Sequence, residues 1–360
     1  MIVILSDFLY PFQSGGVAKH VHYVVKHFNE QGIEFRCFSR GIDNRNYSLQ
    51  KSESIPNVVL MSEVGYWNFL KEIIVTTRKA DTIVCHYVIQ GLFIATLSLF
   101  TFRKFNFFFH GPIDEEYFEK EKNKLGRVIR LIAQYYVLKL ANKILVHSEY
   151  MKDNLEKKLP GASLKTEIIK PFKFPDISQE HEILQKQSNN IENIGEYILI
   201  SRRLTPRTGV LEFCKFVNSL GNRYLLPPLV ITGAGEDKDQ IKEIAVNSKN
   251  IIFLGHVSES ELDILITNAN ATLLPTKNLE GLGYIILEAL QRGTPAIVSS
   301  SCGGGTDYLK AKFPKLIFEL GNYESIKNAF LESQKINSYD LVNYVSEYQF
   351  NDMVKDVYGE

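Results

Sequence analysis

Residues 271–299 read ATLLPTKNLEGLGYIILEALQRGTPAIVS. The apolar run ATLLP turns polar at TKNL, a helical segment YIILEALQRG starts just after two closely spaced glycines, and a second apolar run, PAIVS, closes the unit. Short continuous apolar runs mark strands buried on both faces of a parallel sheet, and such strands need a crossover, usually a helix, between them. Glu280 and Glu288 bracket the glycine turn. Along a helix, eight residues rise roughly 12 Å, so the two carboxylates cannot pair, but they can reach different parts of one extended ligand. On spacing alone, a surface helix with two unrelated glutamates is the simpler account.

The same alternation runs outward in both directions. Toward the C-terminal half it gives the strands YILIS (197–201), LVITG (229–233) and IIFLG (251–255). In the first half, IVIL (2–5) is followed by the loop QSGG and a helix whose Val17, Val21, Val24, Val25 and Phe28 share one face. IEFRCFS, TIVCHY (82–87), FNFFFH (105–110) and KILVHS (143–148) continue the series. The fold class expected is therefore α/β with two doubly wound domains. The expected boundaries are 1–172 and 197–340, with the polar, proline-containing segment 173–196 as linker and an amphipathic helical tail at 341–360 that packs back on the first domain.

The 360 residues exceed one ordinary core and suit two domains. Lys and Arg balance Asp and Glu at 41 each, which argues against a nucleic-acid partner bound through bulk charge. The first 180 residues carry five more basic than acidic side chains, and the second half the reverse. A basic half suits an anionic surface such as phospholipid headgroups; a chance excess on a solvated surface suits it equally. The segment 119–143, EKEKNKLGRVIRLIAQYYVLKLANK, interleaves lysines and arginines with apolar residues, and a basic amphipathic helix of this kind can lie on anionic lipid. The four cysteines are scattered and form no CxxC pattern, so a reducing cytoplasm is expected. The first residues lack a basic leader, and the longest apolar stretch, GLFIATLSLFTF, is too short to span a bilayer.

In open α/β sheets, ligands bind beyond the carboxyl ends of strands, so the residues there are the site candidates. Gly15 and Gly16 follow the first strand and open a helix, where backbone N–H groups favour an anion; a plain strand-to-helix turn explains the pair at least as well. Arg202, Arg203 and Arg207 cluster after YILI, and the guanidinium fork suits phosphate oxygens. Gly233 and Gly235 are not followed by the third glycine of a dinucleotide fingerprint, because position 238 is Lys. Asp237 and Asp239 form a DxD, read here as acids capping a helix start rather than as a metal site. His86 and His110 each close an apolar strand, where a satisfied structural histidine is the commoner explanation. His20, His22 and His27 are not spaced to share a metal, so none is expected. The backbone N–H groups of Gly281, Leu282 and Gly283 at a helix start form a natural cradle for a diphosphate, with Glu280 beside the group that hangs from it and Glu288 further along the same ligand.

At this point the chain resembles the family-4 retaining glycosyltransferases of the GT-B fold (glycosyl transferases group 1), two Rossmann-like domains facing across a cleft. The resemblance is carried by PTKNLEGLGYIILEALQRGTPAIVSSSCGG, SGGVAKHV, FHG, LISRRLTPRTGVLEF and FLGHVSESEL. It implies that Glu280 contacts hydroxyls of the donor sugar, Glu288 binds the ribose, and Arg203, helped by Arg207, neutralises the diphosphate. It places His256 and Val257 at the nucleobase, Gly16 near the phosphates and His110 in the catalytic region. It also implies a reaction without metal or resident cofactor, the nucleotide sugar (UDP- or GDP-linked) being a substrate. The sequence departs from the family pattern at Thr208, where a lysine is usual, at Arg202, where a glycine is usual, and in KPFKF, where the interdomain segment usually carries Asn-Gly.

The function expected is retaining transfer of a sugar to a hydroxyl of a glycan or lipid-linked saccharide in bacterial cell-surface polysaccharide assembly. The place expected is the cytoplasm, with peripheral contact at the inner face of the cell membrane. Two other readings stand beside it: a nucleotide-sugar epimerase of the same architecture, and a binding-only subunit, which the missing lysine motivates.

Overall fold

Both series of apolar runs form sheets in the computed structural model, which describes residues 1–7, 9–10, 15–41, 55–111, 124–174, 194–278 and 280–359. In the first sheet, β1 (Ile2–Ser6), β2 (Phe35–Ser39), β3 (Val58–Leu60), β4 (Thr82–Cys85), β5 (Asn106–Phe108), β6 (Lys143–Val146) and β7 (Thr166–Ile168) lie in the order β3-β2-β1-β4-β5-β6-β7. In the second, β8 (Ile198–Ser201), β9 (Leu229–Thr232), β10 (Ile251–Gly255), β11 (Ala271–Leu274), β12 (Ala296–Ser299) and β13 (Ile317–Phe318) lie in the order β10-β9-β8-β11-β12-β13. All the pairings are parallel. Each sheet grows first to one side of its opening strand and then to the other, so the switch points lie between β1 and β4 and between β8 and β11.

Strands β3, β7 and β13 have no counterpart among the runs picked out in the sequence. Each has only two or three residues and each is outermost in its sheet. An edge strand pairs on one side only and needs no long apolar run to be stable. The central strands are buried along their whole length, as in β1, β9, β11 and β12.

The helix Gly16–Gln31 buries Ala18, His20, Val21, Val24, Val25 and Phe28. Val17, expected on that face, is only half-buried, and Ala18 and His20 fill the first turn instead. The helix ends at Gly32, whose φ of 66° is left-handed. The chain divides into two compact units, Met1–Lys170 with Asn351–Glu360, and Pro171–Phe350. The tail forms two helices, Ser338–Ser346 and Phe350–Tyr358, and within the first unit Tyr358 is buried against Phe28, ring centroids 5.4 Å apart. Most of the expected linker, residues 175–193, lies outside the described residues, as do 119–123 of the basic segment. Among the described residues no helix is long and apolar enough to cross a membrane.

Candidate active site

The second unit gathers its charged candidates at its switch point. After β8 the chain passes through Arg202, Arg203 and Leu204, pressed against the loop that follows β9. Arg202 N–H donates to the Thr232 carbonyl (3.2 Å), and Leu204 N–H donates to that of Ala234 (2.9 Å). A Cβ at Gly233 would collide with the Arg202 carbonyl, and one at Gly235 with that of Leu204, and both glycines have positive φ. The two glycines therefore exist for backbone-to-backbone contact, not for a dinucleotide. Asp237 stands at the N-cap of the helix Lys238–Val246, but its side chain makes no capping bond. The DxD is explained only by Asp239 in the first turn, where an acid favours the helix dipole.

Thr208, at the position where the resemblance expects a lysine, is buried, and its hydroxyl closes its own turn by donating to the carbonyls of Thr205 (2.7 Å) and Arg203 (2.9 Å). Gly209, φ 72°, leaves no room for a Cβ against the Pro275 carbonyl. That close approach, with Lys277 N–H donating to the Arg207 carbonyl (3.2 Å), brings Arg207 to the loop after β11.

That loop holds Glu280, and it is tied to the loop after β12. The hydroxyls of Ser299 and Ser301 donate to the Thr276 carbonyl at 2.5 and 2.7 Å, and Gly304 N–H donates to the Glu280 carbonyl at 2.9 Å. The Glu280 carboxylate takes a hydrogen-bonded ion pair from Arg202 Nη2 through Oε2, while Arg202 Nη1 donates to the Thr276 hydroxyl. Arg207 Nη1 stands 3.9 Å from the same Oε2. The three side chains are only 8, 17 and 16 % exposed for Arg202, Arg207 and Glu280. Burial pushes the carboxyl's pKa up, but Arg202, then Arg207, with the Arg202 hydrogen bond, outweigh it, so Glu280 stays below the ordinary glutamate range and ionised. Nearby, burial pushes the Cys302 thiol up to about 11, which makes it an inert core group.

Gly283, left-handed at φ 77°, opens the helix Tyr284–Gln291; a Cβ there would press on Leu274 Cδ2 at 3.0 Å. Leu282 is buried in the core, so only its backbone can face a ligand. Glu288 is half-buried in the second turn of that helix. Arg203 is exposed, and so is His256, which with the half-buried Val257 follows β10.

Gly15, Gly16 and His110 belong to the first unit. Gly15, φ 136°, caps the helix Gly16–Gln31 without a side-chain bond. His110 follows β5 in a cluster that sequence reasoning did not assemble. Its ring stacks on Phe108 (centroids 4.5 Å apart, 1° between planes), and its Nε2 is 3.0 Å from His86 Nδ1. His86 Nε2 in turn meets the Tyr358 hydroxyl at 3.1 Å, and the rings of His20 and His147 lie 6.0 and 6.1 Å from that of His110. Burial lowers every one of these histidines, and neighbouring imidazoles add to it at three of them: His110 and His20 fall well below the usual range and His86 to about 3, while His147, lowered by burial against the pull of the Ile169 carbonyl, lies at about 4. His110 is therefore neutral, and its Nδ1 is buried with no hydrogen-bond partner among the described residues. The recurrence of His at the ends of three neighbouring strands, β4, β5 and β6, was the signal available in the sequence.

The chain matches the Glycosyltransferase Family 4 family over residues 14–172 and the Glycosyl transferases group 1 family over residues 182–348. It is 27% identical over 194 residues to an uncharacterized glycosyltransferase of Methanocaldococcus jannaschii, a match covering 53% of this chain and 47% of that protein. The chain spans about half the length of the curated relatives it matches. Among solved structures, it is similar to Anabaena HepE in complex with UDP and glucose (TM-score 0.70, 12% identity, 99% of this chain and 98% of that one). It is also similar to WaaG, a glycosyltransferase involved in lipopolysaccharide biosynthesis (TM-score 0.63, 15% identity, 100% of both chains). At these identities the structural likeness shows the fold, which is GT-B.

Proposed function

The chain belongs to the family-4 glycosyltransferases of the GT-B fold, and from that premise we propose that it moves a sugar from a nucleotide-sugar donor to a hydroxyl of a glycan or lipid-linked saccharide. We propose further that it does so with retention, without metal, in cytoplasmic assembly of bacterial cell-surface polysaccharide. The observation that carries this reading is the buried Glu280 carboxylate, held by Arg202 beside Arg207 at the switch point and next to the Gly283 helix start. Glu280 accepts from donor-sugar hydroxyls and its charge favours the oxocarbenium-like ring. Backbone N–H groups of Gly281–Gly283 and the cations of Arg203 and Arg207 take the diphosphate as it leaves. Glu288 binds the ribose, and His256 and Val257 flank the base. The acceptor attacks on the face the diphosphate leaves, and the departing phosphate takes its proton. Glu280 is tied to guanidinium groups, which suits an acceptor of hydrogen bonds better than a nucleophile of a double displacement. HepE's complex with UDP and glucose and WaaG's part in lipopolysaccharide synthesis support the donor and acceptor classes.

A thermal-shift screen over UDP-, GDP- and ADP-sugars tests the donor. The true donor raises the unfolding temperature in proportion to the logarithm of its concentration, and turnover with a saccharide acceptor then follows. A shift without turnover across the panel sinks the transferase reading in favour of a binding-only chain, and no shift with any donor sinks both.

The acceptor class also makes a lipid surface a partner through 119–143. In the described part, the helix Lys124–Leu140 exposes Leu125, Val128, Ile129 and Ile132, and it packs against the helix Val88–Thr101, where Ile89 and Phe100 are exposed. Neither helix contains an acidic residue. An apolar face bordered by cations suits anionic headgroups. Flotation with anionic but not neutral vesicles is the expected result, and equal flotation with both rejects an electrostatic anchor.

A further inference from the structure

The usual small residue after the strand that opens the second domain is here an arginine, and its side chain is not in solvent. Arg202 reaches from the end of β8 to the loop after β11, joining residues 78 positions apart. Both ends of it are fixed. The backbone is clamped between its N–H bond to Thr232 and the contact of its carbonyl with Gly233, and the guanidinium is held by the Thr276 hydroxyl. Thr276 is itself buried and carries the two serine hydroxyls on its carbonyl. The remaining fork of the guanidinium meets Glu280 Oε2.

We infer that Arg202 is the positioning residue for Glu280. Its guanidinium, anchored on Thr276, fixes Oε2 and so aims Oε1 at the donor sugar. This rests on the reading of Glu280 as the sugar-binding carboxylate. Arg202 and Arg207 both lie on Oε2, and no described residue donates to Oε1, which leaves that oxygen as the acceptor for a sugar hydroxyl. A loop carboxylate without such a tie would sample several rotamers, and transition-state contacts depend on sub-ångström placement. The pairing with Arg202 also keeps Glu280 ionised despite its burial. A glycine at position 202 could do none of this, so in this chain the carboxylate is oriented by a side chain rather than by the loop alone.

The experiment is calorimetry and steady-state kinetics on wild type, Arg202→Met, Arg202→Lys, Glu280→Gln and the double variant Arg202→Met with Glu280→Gln. The ligands are UDP, GDP and ADP and the nucleotide sugar that stabilises the wild type best. Arg202→Met is expected to weaken nucleotide-sugar binding and lower kcat by roughly tenfold or more, while free-nucleotide affinity changes by less than about twofold. Arg202→Lys should fall between, since a point charge replaces a fork. In the Glu280→Gln background, adding Arg202→Met should cost less than about a further twofold, because the group it positions is already gone. The double variant removes both charges together, so it remains informative where the single Met variant folds poorly. Multiplicative losses in the double variant overturn the inference, and so does an equal loss of free-nucleotide and nucleotide-sugar affinity. A wild type that binds none of these ligands overturns the transferase reading itself, whereas retention of the sugar's binding increment by Arg202→Met overturns positioning alone.

Discussion

The ends of the strands in the two units solve the same problem in opposite ways. In the first unit, His20, His86, His110 and His147 surround Phe108, and among the described residues no carboxylate offsets the burial that drives all four to the neutral form. In the second, Glu280 is largely buried but has Arg202 and Arg207 beside it, and their attraction wins over desolvation. Burial alone therefore does not decide ionisation; the presence of a counter-charge within hydrogen-bond reach does. One region is suited to shape and hydrogen bonding with uncharged hydroxyls, the other to charge that develops during reaction.

The sharpest way to break this contrast is to remove the charges. Glu280→Ala is expected to lower kcat by about two to three orders of magnitude while nucleotide affinity survives. Glu288→Ala should mainly weaken nucleotide binding. Equal loss of UDP or GDP affinity in the two variants would refute the division of labour between sugar and ribose. Next in size, Arg203→Ala should reduce kcat/KM by roughly a hundredfold through loss of a phosphate contact, and Arg207→Ala by less. Near wild-type transfer by Arg203→Ala would remove it from the diphosphate clamp.

Acid sharpens the contrast without mutation. A histidine whose folded pKa lies below its unfolded value gives stability that is present above pH 6.5 and is lost as the pH falls toward the folded value, about 3 for His86. At pH 5 that loss is on the order of 2 kcal/mol for one such group. Asp7, pushed up to about 6 by burial against the pull of Arg40, works the other way and offsets part of it. Glu280, held below its usual range, loses its contribution only below the unfolded glutamate value, near pH 4. Between pH 7 and 5, hydrogen exchange corrected for intrinsic rate should therefore quicken in residues 82–111 before it does in 271–299. The reverse order would mean that the histidine cluster is not what holds the first unit.

Much of this was legible in the sequence. Central strands announce themselves because they are buried on both faces, and the turn before Tyr284 because its glycines adjoin a polar loop. Two things were not legible. Edge strands such as Val58–Leu60 leave no long apolar run, and side-chain partners far apart in sequence leave no periodic trace. Arg202 read as one of three phosphate-seeking arginines, and nothing in RRLTPR shows that the first of them turns toward a glutamate 78 residues on. Thr208 read as a lost lysine, although its buried hydroxyl is needed to close the turn. Thr208→Lys is accordingly expected to destabilise the protein by about 1–3 kcal/mol in urea unfolding, since the turn's hydroxyl bonds go and a cation is buried. Unchanged stability would show that the position can accept the family's residue.

The smallest effect concerns a residue that fits neither region. Phe102 ends the helix Val88–Thr101 in the left-handed conformation, φ 54°, with its ring 90 % exposed. The corresponding helix ends at Gly32 and Gly209 carry the glycine that this backbone prefers. A bulky side chain there is strained, and its exposed ring gains nothing in the folded chain from burial. Phe102→Gly should therefore stabilise the first unit by about 0.5–1 kcal/mol in urea unfolding. A phenylalanine that costs stability and touches water is accounted for if it enters a lipid surface beside Phe100 and the basic pair Arg103 and Lys104. The same variant should then float less well with anionic vesicles. Greater stability with unchanged flotation would leave the strain real and take Phe102 out of the membrane face.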